Sequence, residues 1–170
     1  SNYLTLNESG YTRIKNEDFF LIYDHGEVQP SYQPGHSHAD LFSFELSYKE
    51  NRFLVNRGIS TYEDTLRRLY ERSSRSHNTV EVDGMSNCGV WRSFRVSYRP
   101  NLIDHFSTFS NNSFSISSQH DAFSTFNSNL IHKREVDLHD SKLRVKDTIE
   151  GKFLKAYSYF HFHPDVKIIK

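Results

Sequence analysis

The sequence predicts an all-β chain folded as an antiparallel sandwich, and three observations carry that prediction. The residues that favour a pleated surface are abundant, with 14 Phe and 10 Tyr against only 4 Pro. The dominant hydrophobic period is two, the spacing that places alternate side chains on one face of a strand. Short turn signals separate the alternating runs, so neighbouring strands can fold back on one another.

Taken in order, "YTRIK" (11–15) and "FFLIYD" (19–24) read as a hairpin joined at Asn16 and Glu17. In "FSFELSY" the residues Phe42, Phe44, Leu46 and Tyr48 share one face. "KEN" then turns the chain, and "RFLVN" returns as the partner strand. Only "TYEDTLRRLYERSSR" has helical character, one or two turns with a weak spacing through Leu66, Leu69 and Tyr70. "HNTVEVDG" reads as a strand ending in an Asp-Gly turn, and "FRVSY" alternates through Phe94, Val96 and Tyr98. "FSISS", "LIHKREVDL", "KLRVKDTIEG" and "YSYFHFHP" continue the period of two, with "LHDSK" a turn between two of them. About ten strands is the size of a sandwich. The last residues, "VKIIK", read as the middle of a strand, so the 170 residues are expected to be one sandwich domain of a longer protein.

The totals exclude several roles. Lys+Arg and Asp+Glu are both 21, so no global field draws the chain to nucleic acid or to an anionic membrane. No apolar run approaches the length of a membrane span. The single cysteine, Cys88, rules out an internal disulfide and a cysteine-rich zinc site, and with no base near it in a nucleophile pattern it reads as a free thiol. Ten histidines, in contrast, invite a search for a cluster.

The densest chemistry lies in "YQPGHSHADLFSFEL", where His36, His38 and Asp40 alternate just before a strand. An extended chain there would point His36 and His38 the same way, after the close approach allowed by Gly35 and the entry fixed by Pro34. A metal needs at least one more ligand, and Asn56, His77, Asp83 and His105 are the downstream candidates. The cupin pattern fails, because Glu45 comes too late after the histidine pair.

The ordered motifs "PGHSHADLFSFEL", "FLVNRGISTYE", "RSSRSHNTVEVDG" and "VWRSFRV", followed by "HKREVDL", "LRVKDTIEG" and "FHFHP", resemble the C-terminal β-sandwich region of the heparinase II/III-like polysaccharide lyases, most closely those of bacterial capsule and surface-polysaccharide clusters. The resemblance implies a supersandwich-like fold and a catalytic histidine at the active-site cleft, His36. It implies a divalent metal, zinc foremost and mainly structural, held by His38 and His77. The remaining ligand position, an Asp in the family, is Asn56 here, a neutral and weaker donor. Asp40 then stands beside the ligands and offsets the ion's charge. The implied reaction is β-elimination on a uronic-acid-containing glycan. A helical toroid domain of the same protein, absent from this chain, would supply the rest of the site, so the isolated chain is expected to be inactive.

Tyr62, Arg67 and Trp91 are candidate substrate-binding residues: Trp91, with Phe94, by stacking on sugar, and Tyr62 and Arg67, with Arg68, Arg72 and Arg75, by lining the cleft and pairing with its carboxylates. Against this, Arg67, Arg68, Arg72 and Arg75 also read as a solvated basic turn neutralised by Glu63, Asp64 and Glu71. His161 and His163 read as strand residues bonded locally. The rival to a lyase is a non-catalytic sandwich that binds or helps assemble surface polysaccharide. The resemblance favours the periplasm or cell envelope and is also compatible with a cytoplasmic location.

Overall fold

A computed structural model describes residues 2–28, 30–111, 113–125, 129–139 and 142–169. The first sheet is a five-strand meander of β1 (Tyr3–Leu6), β2 (Tyr11–Lys15), β3 (Phe19–Asp24), β4 (Phe44–Tyr48) and β5 (Asn51–Leu54), in that spatial order. Helix α1 (Leu66–Arg72) follows, then the short strands β6 (Val80–Val82), β7 (Val90–Trp91) and β8 (Arg95–Val96). The second sheet is β9 (Leu102–Ser110), β10 (Ser113–His120), β11 (Ile131–His139) and β12 (Lys142–Glu150), all antiparallel neighbours. A last strand, β13 (Ala156–Ser158), pairs with β6. The expected all-β antiparallel sandwich with one short helix is the observed fold. Among the described residues no helix is long and apolar enough to cross a membrane.

The two larger sheets close on one core. Ile14, Leu21, Tyr23, Phe44 and Leu46 from the first sheet pack with Phe114, Ile116, Val136 and Leu138 from the second. Burial alternates strictly along β10 and β11, as a period-two sequence requires. The inner face of this pair changes character along its length. It is apolar at Phe114, Ile116, Val136 and Leu138, and polar at Ser118, His120, His132 and Arg134.

Local chemistry explains the hairpins. Asn16 accepts the backbone N–H groups of Asp18 and Phe19 at 3.0 and 2.6 Å, which closes the β2–β3 turn. Lys49 and Glu50 both take positive φ (47° and 63°) between the paired residues Tyr48 and Asn51, the two-residue turn that suits right-twisted strands. Asp83 and Gly84 do the same at φ 50° and 78°, between Val82 and Met85.

Some elements differ from the sequence reading. The β4 strand begins at Phe44; Phe42 has φ 64° and is buried ahead of the strand. "FRVSY" contributes only the two-residue β8, in a hairpin with β7. "LIDHFSTFS", unassigned from the sequence, is the nine-residue strand β9, and "YLTL" is β1. Both are sheet edges, and on β9 half of the large side chains face water, so the apolar signal is diluted: Ile103 and Phe106 are 50% and 56% exposed. The turn expected in "LHDSK" falls on residues 140–141, outside the described residues.

Helix α1 shows why its spacing was weak. It is capped by Thr65, whose hydroxyl accepts the N–H of Arg68 at 3.2 Å. It buries Arg68, Glu71 and Arg72 while Leu66 stays 86% exposed. The helix docks through its charged face. The expectation of a solvated basic turn is therefore overturned for Arg68 and Arg72.

Candidate functional site

The site assembles where three segments meet: the loop before β4, the residues just after β5, and the segment between α1 and β6. The first segment is held by Arg72. Its Nε and Nη2 donate to the Ser37 carbonyl at 3.1 and 2.9 Å, and its Nη1 to the carbonyls of Arg92 and Arg95 at 2.9 and 3.2 Å. This guanidinium, fully buried, fixes the peptide that separates His36 from His38. The Ala39 N–H donates to the Arg72 carbonyl at 2.8 Å, and Ser74 Oγ to the Ala39 carbonyl at 2.9 Å.

The third segment carries His77, Asn78 and Thr79, all buried. Asn78 acts as a staple. Its Nδ2 donates to the carbonyls of Phe44 and Val55 at 2.8 and 3.2 Å, its N–H to Ser43 Oγ at 3.0 Å, and its Oδ1 accepts the His161 N–H at 2.6 Å. Thr79 Oγ1 donates to the Leu41 carbonyl at 2.6 Å. From behind, Arg134 Nη1 donates to the carbonyls of Phe42, at 2.9 Å, and Asn78.

This scaffold brings His38 Nδ1 within 3.1 Å of His77 Nε2. Asp40 completes the group, with one ligand atom from each residue lying within 4.8 Å of the others. His77 Nδ1 lies 2.9 Å from Asn56 Oδ1, which also accepts from Ser43 Oγ at 3.4 Å. On its outer side, His38 Nε2 is 3.3 Å from Arg68 Nη1. A guanidinium only donates and an amide oxygen only accepts, so the proton positions follow. Arg68 donates to His38 Nε2, His38 Nδ1–H to His77 Nε2, and His77 Nδ1–H to Asn56. Both rings are neutral in this arrangement. Burial pushes His38 down to about 4, Asp40 opposing and the neighbouring His77, Arg68 and Arg72 adding to it. Burial and then His161 push His77 to about 4 as well. Asp40 is raised, by burial first, with His38 opposing.

His36 faces elsewhere. It ends a 3-10 turn (Pro34–His36), so the extended backbone that would have aligned it with His38 is not formed. Its ring meets Tyr62 and Phe94 edge-on at 5.8 and 5.5 Å, and those two rings stack on each other at 5.8 Å. Arg68 lies beneath, 5.3 Å from the Tyr62 ring and 6.0 Å from that of Phe94. Tyr62 and Phe94 remain about half exposed, at 52% and 45%. A cavity of about 300 Å³ is lined by His36 and His38 together with Tyr11, Asp24, Glu27 and Asp40.

The other candidates fall apart spatially. Arg67 pairs with Glu71 at 2.9 Å and bonds Ser60 Oγ at 2.6 Å, away from Tyr62 and Phe94. Trp91 is 47% exposed on β7 and lines a different groove with Met85 and Tyr98. Asp83 accepts the N–H groups of Leu154 and Lys155, and His105 stacks on His25 at 3.6 Å. Cys88 is buried, and burial pushes its thiol up to about 12, so it is an unreactive thiol. Phe94, expected with Trp91 as a sugar-stacking residue, stacks on Tyr62 beside His36. Arg68, one of the arginines expected either along the cleft or in a solvated turn, lies beneath that pair.

The fold and site define an antiparallel β-sandwich that gathers His38 and Asp40, Asn56, and His77 from three segments at one edge, beside half-exposed stacked rings. The chain matches the family model described as Heparinase II/III-like, C-terminal, over residues 2–170, and it belongs to that family. The family points to polysaccharide as the ligand class. No curated protein matches the chain.

Proposed function

We propose that this chain is the sandwich half of a polysaccharide lyase that cleaves uronic-acid-containing glycans by β-elimination, with His36 as its catalytic residue. The observation that supports the reading best is the setting of His36. Its imidazole stands against two exposed stacked rings that suit a sugar face, while the neighbouring histidine, His38, is turned inward to a separate polar group. In β-elimination the proton beside the carboxylate leaves and the 4-linked oxygen departs, so a site needs an acid–base group and cations near the developing charge. His36 serves the first need. Arg68 supplies positive charge below the platform, and Tyr62 and Phe94 orient the ring. A helical partner domain of the same protein would close the cleft opposite.

The second group fits a divalent cation. Two imidazole nitrogens 3.1 Å apart with a carboxylate close by match the donor types and spacing of a zinc site. His77 has the acceptor on its outer nitrogen that metal-bound histidines use, here Asn56. Asn56 thus supports His77 in this geometry, and Asp40 supplies the charge that an Asp at position 56 would have brought. Arg68 is a donor on the outer nitrogen of His38, so loading an ion there displaces the His38 Nδ1 proton and loosens the Arg68 contact. His38, His77 and Asp40 would hold such an ion, whose charge would offset that of Asp40 and reinforce segments that Arg72 and Asn78 already fix beside His36.

The test is turnover of acidic polysaccharides by the full-length protein, followed by the ultraviolet absorbance of the unsaturated uronate. His36→Ala is expected to abolish it with folding intact. Undiminished turnover by His36→Ala overturns the assignment, and binding of glycan without any turnover by the wild type supports the non-catalytic alternative. Elemental analysis checks the ion: His38→Ala and His77→Ala release it, and His36→Ala keeps it.

A further inference from the structure

A groove of about 850 Å³ lies on the far side of α1 from His36, between that helix and the segment after β13. Its wall includes Arg57, Arg67, Tyr70, Phe160, His161 and Phe162. Three of these are aromatic rings left partly open to solvent: Tyr70 at 40%, Phe160 at 38% and Phe162 at 40%. Rings half exposed in a concave wall offer flat apolar faces to the C–H side of a sugar.

The charge in the groove is not balanced. Glu71 is already committed. It accepts from Ser60 Oγ at 2.5 Å, the Ser60 N–H at 3.0 Å and Arg67 Nε at 2.9 Å, and these bonds, Ser60's first, hold it down to about 2. Arg67 is neutralised by the same pair. Arg52, at the rim, pairs with Glu45 at 2.9 Å. Arg57 has no carboxylate partner among the described residues. Its Nε donates to His161 Nδ1 at 3.3 Å, and its guanidinium lies over the Tyr70 ring at 5.6 Å. The plane and one edge of the guanidinium are thereby fixed, and its two Nη groups are left to bind. That is the edge that takes a carboxylate through two parallel hydrogen bonds.

We propose that this groove is a second sugar subsite, in which Arg57 reads the anionic group of a residue some way along the chain from the one at His36. The inference rests on the reading that the ligand is an acidic polysaccharide. It adds a place where a second charge on the polymer is recognised. Because the guanidinium is oriented before the ligand arrives, little side-chain entropy remains to be lost on binding.

The experiment measures binding of the intact protein by calorimetry to an unsulfated oligouronate, to a sulfated neutral glucan, and to an uncharged oligosaccharide of equal length. Arg57→Ala is expected to weaken oligouronate binding roughly tenfold to a hundredfold. Arg57→Lys, which keeps the charge and loses the fork, should fall between. The uncharged ligand should bind Arg57→Ala and wild type equally. A loss confined to the sulfated glucan would identify the group as a sulfate ester and still support the subsite. If Arg57→Ala binds both anionic glycans as wild type does while Tyr62→Ala loses them, the groove is not a subsite and the lyase reading stands. If the wild type binds neither anionic glycan, both readings fall. Arg57 is exposed, so circular dichroism of its variants should match wild type.

Discussion

Replacing Arg134 with alanine should cost as much stability as truncating one of the fully buried aromatic side chains of this core. Its guanidinium is fully buried at the polar end of β11. All five of its N–H groups are used. Nε and Nη2 reach Asp147 at 2.7 and 2.8 Å, the other Nη2 hydrogen reaches Ser158 Oγ at 3.2 Å, and Nη1 serves the carbonyls of Phe42 and Asn78. Alanine would leave a carboxylate without its counter-ion, where only 15% of that side chain is exposed, and would orphan two carbonyls. Breaking such a pair typically costs about 3–5 kcal/mol. At about 2–4 °C per kcal/mol for a domain of this size, the melting temperature should fall by about 6–20 °C. Thermal unfolding followed by circular dichroism measures it, with Arg134→Lys expected to recover part of the loss. The pH dependence gives an independent check. Burial pushes Asp147 up, but the charge and hydrogen bonds of Arg134, with His132, carry it well below the usual carboxylate range. A carboxylate depressed in the folded state stabilises above its unfolded pKa, and that contribution is lost as pH falls through the folded value. The gap between wild type and Arg134→Ala should therefore persist at neutral pH and close only in strong acid. A loss under about 1 kcal/mol at neutral pH would refute the reasoning, because Arg134 would then be a replaceable filler.

Other outcomes follow from the same geometry. Asn56→Asp should tighten metal binding roughly tenfold to a hundredfold and Asn56→Ala should weaken it by a similar factor, read by competition with a chromogenic chelator. Asn78→Ala, which removes staples to Phe44, Val55 and His161 at once, should cost about 2–4 kcal/mol in denaturant unfolding, and a change under 1 kcal/mol would contradict its role. Burial, with His105 beside His25 and His161 beside His77, holds His25 and His77 at about 4, and burial does the same for His38 despite Asp40. The unfolded chain takes up their protons first, near about 6.5, so stability should decline as pH drops from there towards 4. A flat stability profile across that window would show these rings to be more open than their positions here.

The strands with clean alternation, β2, β3, β10, β11 and β12, were legible because period two is all a half-buried strand requires. The Asp-Gly turn was legible because its backbone angles demand such residues. His38 and His77 were legible from ordered motifs, although they lie 39 positions apart. The direction of His36 was not, since a 3-10 turn rotates it away from the strand pattern. Asn56 was legible as a neighbour of His77, but sequence gives no means to tell which ring nitrogen it meets. The burial of Arg68 and Arg72 was hidden for a different reason. Charged residues on a helix face read as solvated, and only the converging carbonyls of Ser37, Arg92 and Arg95 reveal where Arg72 finds its partners.

The staple made by Asn78 bears on how the site meets its ligands. The backbones that carry His38, Asn56 and His77 are locked by Arg72, Asn78 and Thr79, none of which belongs to the proposed sugar or ion contacts. Ordering of these segments is therefore complete when the domain folds, and an arriving ligand finds a mould already set. Association at such an edge should be fast and its strength governed by how quickly the guest escapes, so changes in Asn78 would show themselves as shortened residence times before any loss of capture rate.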